Sequence, residues 1–161
     1  MRVGNVMKAL VAGGGGFIGS RLVRALLNNG WVVRVLDIRY GELVDCKDRL
    51  KFFGVGSNDL RGGTVNRNIV RQAVKGVDVV YHLALNWDGA TWKHRVPLAD
   101  LFDVNIKGTL NLLEEAKSEG VKHFLFASST AVYGDGNAEV VDEESAVKLE
   151  LFNGAPDQHT Q

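Results

Sequence analysis

The sequence predicts an α/β domain in which a doubly wound parallel sheet of five strands, in the order 3-2-1-4-5, lies between two layers of helices. Three observations predict it. The apolar run Leu10-Val11-Ala12 leads directly into a glycine turn and a segment of helical period. A second apolar run ends in Asp37. Apolar runs of strand length then alternate with helical segments as far as Ala127. At 161 residues and 45% apolar content, the chain is expected to bury one core and to form a single domain, residues 1–161.

Gly13, Gly16 and Gly19 follow a G-x-x-G-x-x-G spacing that opens the first helix. Residues without side chains let the chain turn sharply and let a ligand approach the main chain, and the amides at a helix start favour an anion. Such a turn is a seat for a pyrophosphate, although taken alone it also fits a packing or flexible turn. The helix carries Ile18, Leu22, Ala25 and Leu26 on one face and stops at Asn28-Asn29-Gly30. The second strand, Trp31 to Asp37, completes a βαβ unit whose terminal carboxylate lies about twenty residues past the glycines. There Asp37 would accept both hydroxyls of an adenosine ribose; the competing reading is a solvated acid at a strand end.

Arg39 to Arg49 is charged and reads as irregular. Leu50 to Val55 predicts the third strand. A helix is expected from Gly62-Gly63-Thr64, with Thr64 as its cap, Ile69, Val70, Ala73 and Val74 as its apolar face and Gly76 as its end. Val77 to Ala84 predicts the fourth strand, apolar almost throughout as befits burial on both faces. Leu85 to Pro97 follows as a loop at the strand's carboxyl end, where open α/β sheets hold their ligands. One helix is expected from Leu98 to Ser118, with Leu98, Leu101, Phe102, Leu112, Leu113 and Ala116 inward and Asp100, Asp103, Lys107 and Glu114 outward. Asn105 falls near the middle of that apolar face and needs partners. Either it ties the helix to a neighbouring loop or it reaches groups linked to a cofactor. Gly120 ends the helix, and Val121 to Ala127 predicts the fifth strand, followed by Ser128-Ser129-Thr130.

Composition bounds the partners. Nineteen basic and nineteen acidic residues leave no net charge to draw the chain to nucleic acid or to an anionic membrane. The single cysteine, Cys46, excludes an internal disulfide framework. The four histidines, at 82, 94, 123 and 159, show no metal-ligand spacing, so no metal site is expected, and His82 reads as a satisfied core residue. Trp87 and Trp92 with Lys93, His94 and Arg95 fit a stacking surface for a nucleotide sugar or a solvated loop. The first residues are too few and too polar for a signal peptide, and no apolar run reaches spanning length; a cytoplasmic setting is expected.

Five motifs in register give the chain, from Lys8 to Asp135, a resemblance to the extended short-chain dehydrogenase/reductases, the NAD-dependent sugar epimerase/dehydratase group. They are the glycine turn with Phe17-Ile18-Gly19, the strand-end Asp37, Asp59-Leu60, His82-Leu83-Ala84, and Asn105-Ile106-Lys107-Gly108-Thr109 leading to Ser128 through Gly134. The resemblance implies a Rossmann-like fold that binds NAD. By it, the backbone amides of Phe17 and Ile18 contact the pyrophosphate, Asp37 holds the ribose, Asp59 meets the adenine amino group and Leu60 packs on its ring. Leu83 and Ala84 line the nicotinamide side and Asn105 helps close that pocket. Where the family has a second small residue after Ala84, this chain has Leu85. The charge of Asp37 favours NAD over NADP, with Arg39 two positions on as a partial offset.

Ser129 matches the family's catalytic hydroxyl, with Ser128 and Thr130 as structural or capping residues. Chemistry in the family also uses a Tyr-x-x-x-Lys pair, in which lysine lowers the pKa of a phenol that exchanges a proton. No tyrosine follows Tyr133, and Lys148 sits four residues after Glu144. The expectation is therefore the NAD-binding part of an epimerase, dehydratase or reductase acting on a nucleotide sugar or related alcohol, without the family's carboxyl-terminal substrate part. The alternative is an NAD(P)-binding sensor or partner subunit without turnover. In either case the fifth strand is expected to be an open edge and Ile106 and Leu110 to lack a covering neighbour, which favours a homodimer.

Overall fold

The computed structural model describes residues 6–56, 63–86, 97–134 and 140–147. The five strands are β1 (Lys8–Ala12), β2 (Val32–Leu36), β3 (Lys51–Phe53), β4 (Val79–His82) and β5 (His123–Phe126). All pair in parallel in the order β3-β2-β1-β4-β5, with Ala12 opposite both Leu36 and His82. The doubly wound sheet read from the sequence is thus the architecture. The chain divides into two units, residues 1–126, which carry the sheet, and residues 127–161.

Strand alternation distributes the core. Leu10, Ala12, Leu36 and Val80 point to one face of the sheet, where Val70, Ala73 and Val74 of helix α2 (Arg67–Val74) and Leu112 and Ala116 of helix α4 (Gly108–Ser118) cover them. Ala9, Val11, Val33 and Val35 point to the other, under Val23 and Leu26 of helix α1 (Phe17–Asn28) and under Leu43 and Cys46. The last two belong to a 3₁₀ segment, Gly41–Arg49, where the sequence suggested irregular chain. Leucine and cysteine three apart supply its buried side, and the fork of Arg24 on Asp45 (2.6 and 2.9 Å) fastens it to α1. Tyr81, packed against the edge of this cluster, and Leu125 line an open groove.

Two local expectations change. Thr64 does not cap α2: the side chain of Asn66 does, accepting from the amides of Asn68 and Ile69. At the helix's other end Arg34, reaching from β2, donates to the carbonyls of Ala73 and Lys75 at 3.0 and 2.7 Å, a cation where the helix dipole favours one. The expected helix from Leu98 to Ser118 is three pieces, namely helix α3 (Leu98–Phe102), a π-turn (Asp103–Lys107) and α4. The Gly108 amide bonds the Asp103 carbonyl five residues back, so one residue is inserted and the helical phase shifts. Val104, Gly108, Asn111, Leu112, Glu115 and Ala116 face inward as a result, and Leu98, Phe102, Ile106, Leu110 and Leu113 form an exposed row. Buried Glu115 takes Arg67 and Arg71 of α2, at 2.6 and 2.9 Å; these bonds, Arg71 first, hold its carboxyl below the ordinary carboxylate range. Among the described residues no helix is long and apolar enough to cross a membrane.

The phase shift has a direct test in stability. Leu112→Ala, at a site with no exposed surface, is expected to cost about 2–5 kcal/mol in urea unfolding. Leu110→Ala, at a site 53% exposed in the single chain, is expected to stay within about 0.5 kcal/mol of wild type at concentrations low enough for the chain to be monomeric. Equal losses would place both leucines in the core and contradict the inserted residue.

Candidate functional site

The carboxyl ends of β1, β2 and β4 converge on a cleft of about 550 Å³. Gly13, Gly15, Gly16, Asp37, Arg39, Gly41, Thr64, Leu83, Ala84, Leu85, Asn86 and Val104 are among its lining residues. Of the residues proposed from sequence, Gly13, Gly16, Asp37, Arg39, Leu83 and Ala84 therefore share one site.

The glycines divide their work. Gly13 has φ +81°, and a Cβ there would lie 2.6 Å from the Ala84 nitrogen, so the first turn fits against β4's extension only as bare backbone. A Cβ on Gly19 would strike the Gly13 carbonyl, which makes Gly19 the contact between α1 and the turn. Gly16 is different: its missing Cβ would touch only the Gly13 carbonyl, at 3.3 Å, and otherwise has space. It keeps the cleft floor open just before α1, where no side chain caps the helix. The Phe17 ring is 67% exposed and stacks under the Arg21 guanidinium at 3.8 Å.

Asp37 is more than a strand-end acid. One carboxylate oxygen accepts from the Gly15 amide at 2.9 Å and the other from the Arg39 amide at 3.1 Å. Two of its roughly four acceptor positions are used by these amides. Gly15 and Gly41, which sequence spacing did not single out, make this corner possible. Gly41 has φ +55°, and a side chain on it would run into the Gly15 carbonyl.

Asn105, half-buried in the π-turn, ties the helix to the strand-end loop. Its Oδ1 accepts from the Asn86 amide and its Nδ2 donates to the Asn86 carbonyl, both at 2.8 Å. A two-point clamp on one backbone residue fixes the wall that Leu83 through Asn86 give the cleft. His82, expected to be a satisfied core residue, is satisfied at one nitrogen only. Nε2 lies 2.8 Å from the Thr109 hydroxyl, while Nδ1 is buried with no partner. Burial pushes the imidazole pKa down to about 4.

Ser129 belongs to the second unit. It heads a 3₁₀ turn, Thr130–Tyr133, and its hydroxyl accepts from the Ala131 amide at 3.2 Å. The capping role that sequence gave to Ser128 or Thr130 thus falls to Ser129 itself. Its own proton has no acceptor among the described residues. Asp59 and Leu60, and Trp87, Trp92, Lys93, His94 and Arg95, lie outside the described residues.

Residues 9–155 match the sequence pattern of the NAD dependent epimerase/dehydratase family. A UDP-glucose 4-epimerase of Erwinia amylovora is 37% identical over 132 residues, 80% of this chain and 38% of that protein. A 3 beta-hydroxysteroid dehydrogenase/Delta 5-->4-isomerase of Mycobacterium tuberculosis is 30% identical over 151 residues, 91% of this chain and 38% of its own length. The UDP-glucose 4-epimerase of Thermus thermophilus, solved in complex with NAD, superposes with a TM-score of 0.70 at 34% identity, covering 88% of this chain and 44% of that one. The chain thus spans well under half the length of these relatives.

The buried imidazole gives a pH prediction. Between pH 6.5 and about 4 the unfolded chain binds a proton at His82 that the folded chain does not. Stability therefore rises with pH across that window, and acidification through it is expected to remove roughly 3 kcal/mol. The Glu115 contribution has the opposite origin, a lowered carboxyl, and fades only below its ordinary 4.5. Urea midpoints from pH 7 to 4.5 are expected to fall in the wild type and to stay flat in His82→Gln; a flat wild-type profile would contradict a neutral, desolvated imidazole.

Proposed function

The chain belongs to the NAD dependent epimerase/dehydratase family, and from that premise we propose that it is the NAD-binding part of an oxidoreductase acting on a nucleotide sugar or related alcohol. The observation that carries the reading is the junction of an open Gly16 floor, an uncapped α1 start and a half-satisfied Asp37 carboxylate in one cleft. A pyrophosphate suits the first two, because amides and helix dipole both favour an anion. An adenosine ribose suits the third. The likeness to an epimerase solved with NAD supports the same assignment.

In this reading each residue has a stated duty. Gly16 admits the pyrophosphate to the amides of Phe17 and Ile18, and Asp37 accepts the ribose hydroxyls. Asp59 and Leu60 serve the adenine by family likeness. Leu83 and Ala84 wall the nicotinamide side, braced by Asn105, and by family likeness the Ser129 hydroxyl hydrogen-bonds the reacting oxygen of the alcohol. Bound NAD supplies a hydride acceptor. The negative charge of Asp37 disfavours the 2′-phosphate of NADP, and Arg39 softens that preference. The nucleotide-sugar substrate rests on relatives whose names specify UDP-glucose.

Calorimetry on the purified chain is expected to show NAD binding, tighter than NADP. Asp37→Ala is expected to weaken it by about 1.5–3 kcal/mol through loss of charge-assisted bonds, and Gly16→Val to abolish it by filling the floor. Unchanged affinity in both variants would overturn the assignment. Chromatography of added UDP-sugars, read together with absorbance of reduced nicotinamide, separates the two forms of the proposal: NAD binding with neither a converted sugar nor a reduced cofactor selects a dinucleotide-binding partner subunit.

We propose in addition that two copies associate through exposed apolar surface, namely the row Leu98, Phe102, Ile106, Leu110 and Leu113, and the open β5 edge with Leu125 and Phe126. Sedimentation velocity is expected to give a dimer for wild type and a monomer for Leu110→Glu. A wild-type monomer at micromolar concentration would refute this.

A further inference from the structure

The cleft wall is held by a relay that begins inside the sheet. His82 closes β4 and is 1% exposed, its ring between Phe124 and Phe126 at centroid distances of 6.2 and 5.3 Å. Its Nε2 meets Thr109 Oγ1 at 2.8 Å, and that hydroxyl donates to the Asn105 carbonyl at 2.7 Å. A hydroxyl has one proton. With it directed to Asn105, Thr109 can only accept from the histidine, so Nε2 carries the imidazole hydrogen and Nδ1 is the bare, unpartnered nitrogen. Asn105 in turn grips Asn86 at both main-chain atoms. The path runs from β4 to α4, back to the π-turn, and across to a residue four positions after the one where it began.

Geometry gives the relay a purpose. The Thr109 hydroxyl reaches the Asn105 carbonyl four residues back, the bond a helical threonine makes to the preceding turn, just where the π-turn passes into α4. The imidazole fixes the rotamer of Thr109, because the threonine must accept from one side and donate to the other. A fixed Thr109 holds the carbonyl of Asn105, and with it the side chain that clamps Asn86. Leu83, Ala84, Leu85 and Asn86 all line the cleft, so the position of that wall is set at a buried nitrogen outside it.

We infer that His82 is a positioning residue for the cleft: through Thr109 it locks the Asn105 clamp on Asn86 and so sets the width of the wall on the side away from Asp37. The consequence for cofactor affinity rests on the NAD reading above, whereas the consequence for Asn86 does not. A merely structural histidine would stabilise the whole sheet and leave Asn86 no more sensitive than its neighbours.

Two readouts on the full chain test this. Nitrogen NMR of the histidines is expected to show His82 as the neutral tautomer protonated at Nε2. Hydrogen exchange at the Asn86 amide is expected to speed up at least tenfold in Thr109→Val, which keeps shape and removes the hydroxyl. It is expected to return to within about threefold of wild type in Thr109→Ser, while the Leu83 amide, bonded to Ala12 in the sheet, keeps its protection in both. Calorimetry with NAD is expected to follow the same order, about tenfold weaker for the valine variant and near wild type for the serine. An imidazole protonated at Nδ1, an Asn86 amide indifferent to Thr109→Val, or equal loosening at Leu83 and Asn86 would each overturn the relay. Wild-type chain that fails to bind NAD would refute the cofactor reading alone, with Asn86 exchange still deciding the relay.

Discussion

The site depends on how closely two backbones meet at Gly13. Its amide donates to the Leu36 carbonyl at the end of β2, 2.9 Å away, while its missing side chain leaves room for the main chain of Ala84 just past β4. Three strand ends are thereby drawn to one residue at the point where the sheet order reverses, which is where an open α/β sheet forms a crevice. A methyl group there would have to displace backbone, which cannot rotate away as a side chain can. The residue would also be held at a positive φ that only glycine adopts at low cost. Gly19, six residues on, repeats the requirement, since only a bare residue there lets α1 pack on the same turn.

Asp37 converts this shape into a charged site. Its two bonds to the amides of Gly15 and Arg39 tie the glycine turn to the segment after β2, so the carboxylate is part of the corner it serves. A group held by two amides loses little further freedom when it accepts a ligand, and preorganised acceptors of this kind favour binding by reducing that loss. The same bonds explain why Gly15 and Gly41 cannot carry side chains, since the carbonyls of Arg39 and Gly15 occupy that space.

Much of this was legible in the sequence because it follows from local rules. Strand order, the glycine turn, α1 with its stop at Asn29-Gly30, and an acid ending β2 each come from a few adjacent residues. Other features were hidden because they join distant ones. Nothing near Gly41 announces that it abuts Gly15. Asn66 displaced Thr64 as the cap of α2 because the hydroxyl of Thr64 fits against the bare Cα of Gly108 and its carbonyl receives Asn111, contacts made across more than forty residues. The clamp between Asn105 and Asn86 was foreseen in kind, a polar residue on an apolar face needing partners, and only its partner required the structure.

The π-turn shows why period alone could not decide the long helix. An unbroken α-helix over the same residues would turn Leu98 and Phe102 toward the core, each worth about 1.5–3 kcal/mol if fully buried. The inserted residue leaves both exposed and instead forms the bonds among His82, Thr109, Asn105 and Asn86, each worth about 0.5–1.5 kcal/mol net. Several modest bonds against two half-realised burials come out close to even. Reading hydrophobic spacing weighs only one side of that balance, so it continues the helix through Asp103 to Lys107 without a break. Where stability is so nearly indifferent, the arrangements differ chiefly in where they leave the loop after β4, and the inserted residue is the one that places Asn105 against Asn86 at the mouth of the cleft.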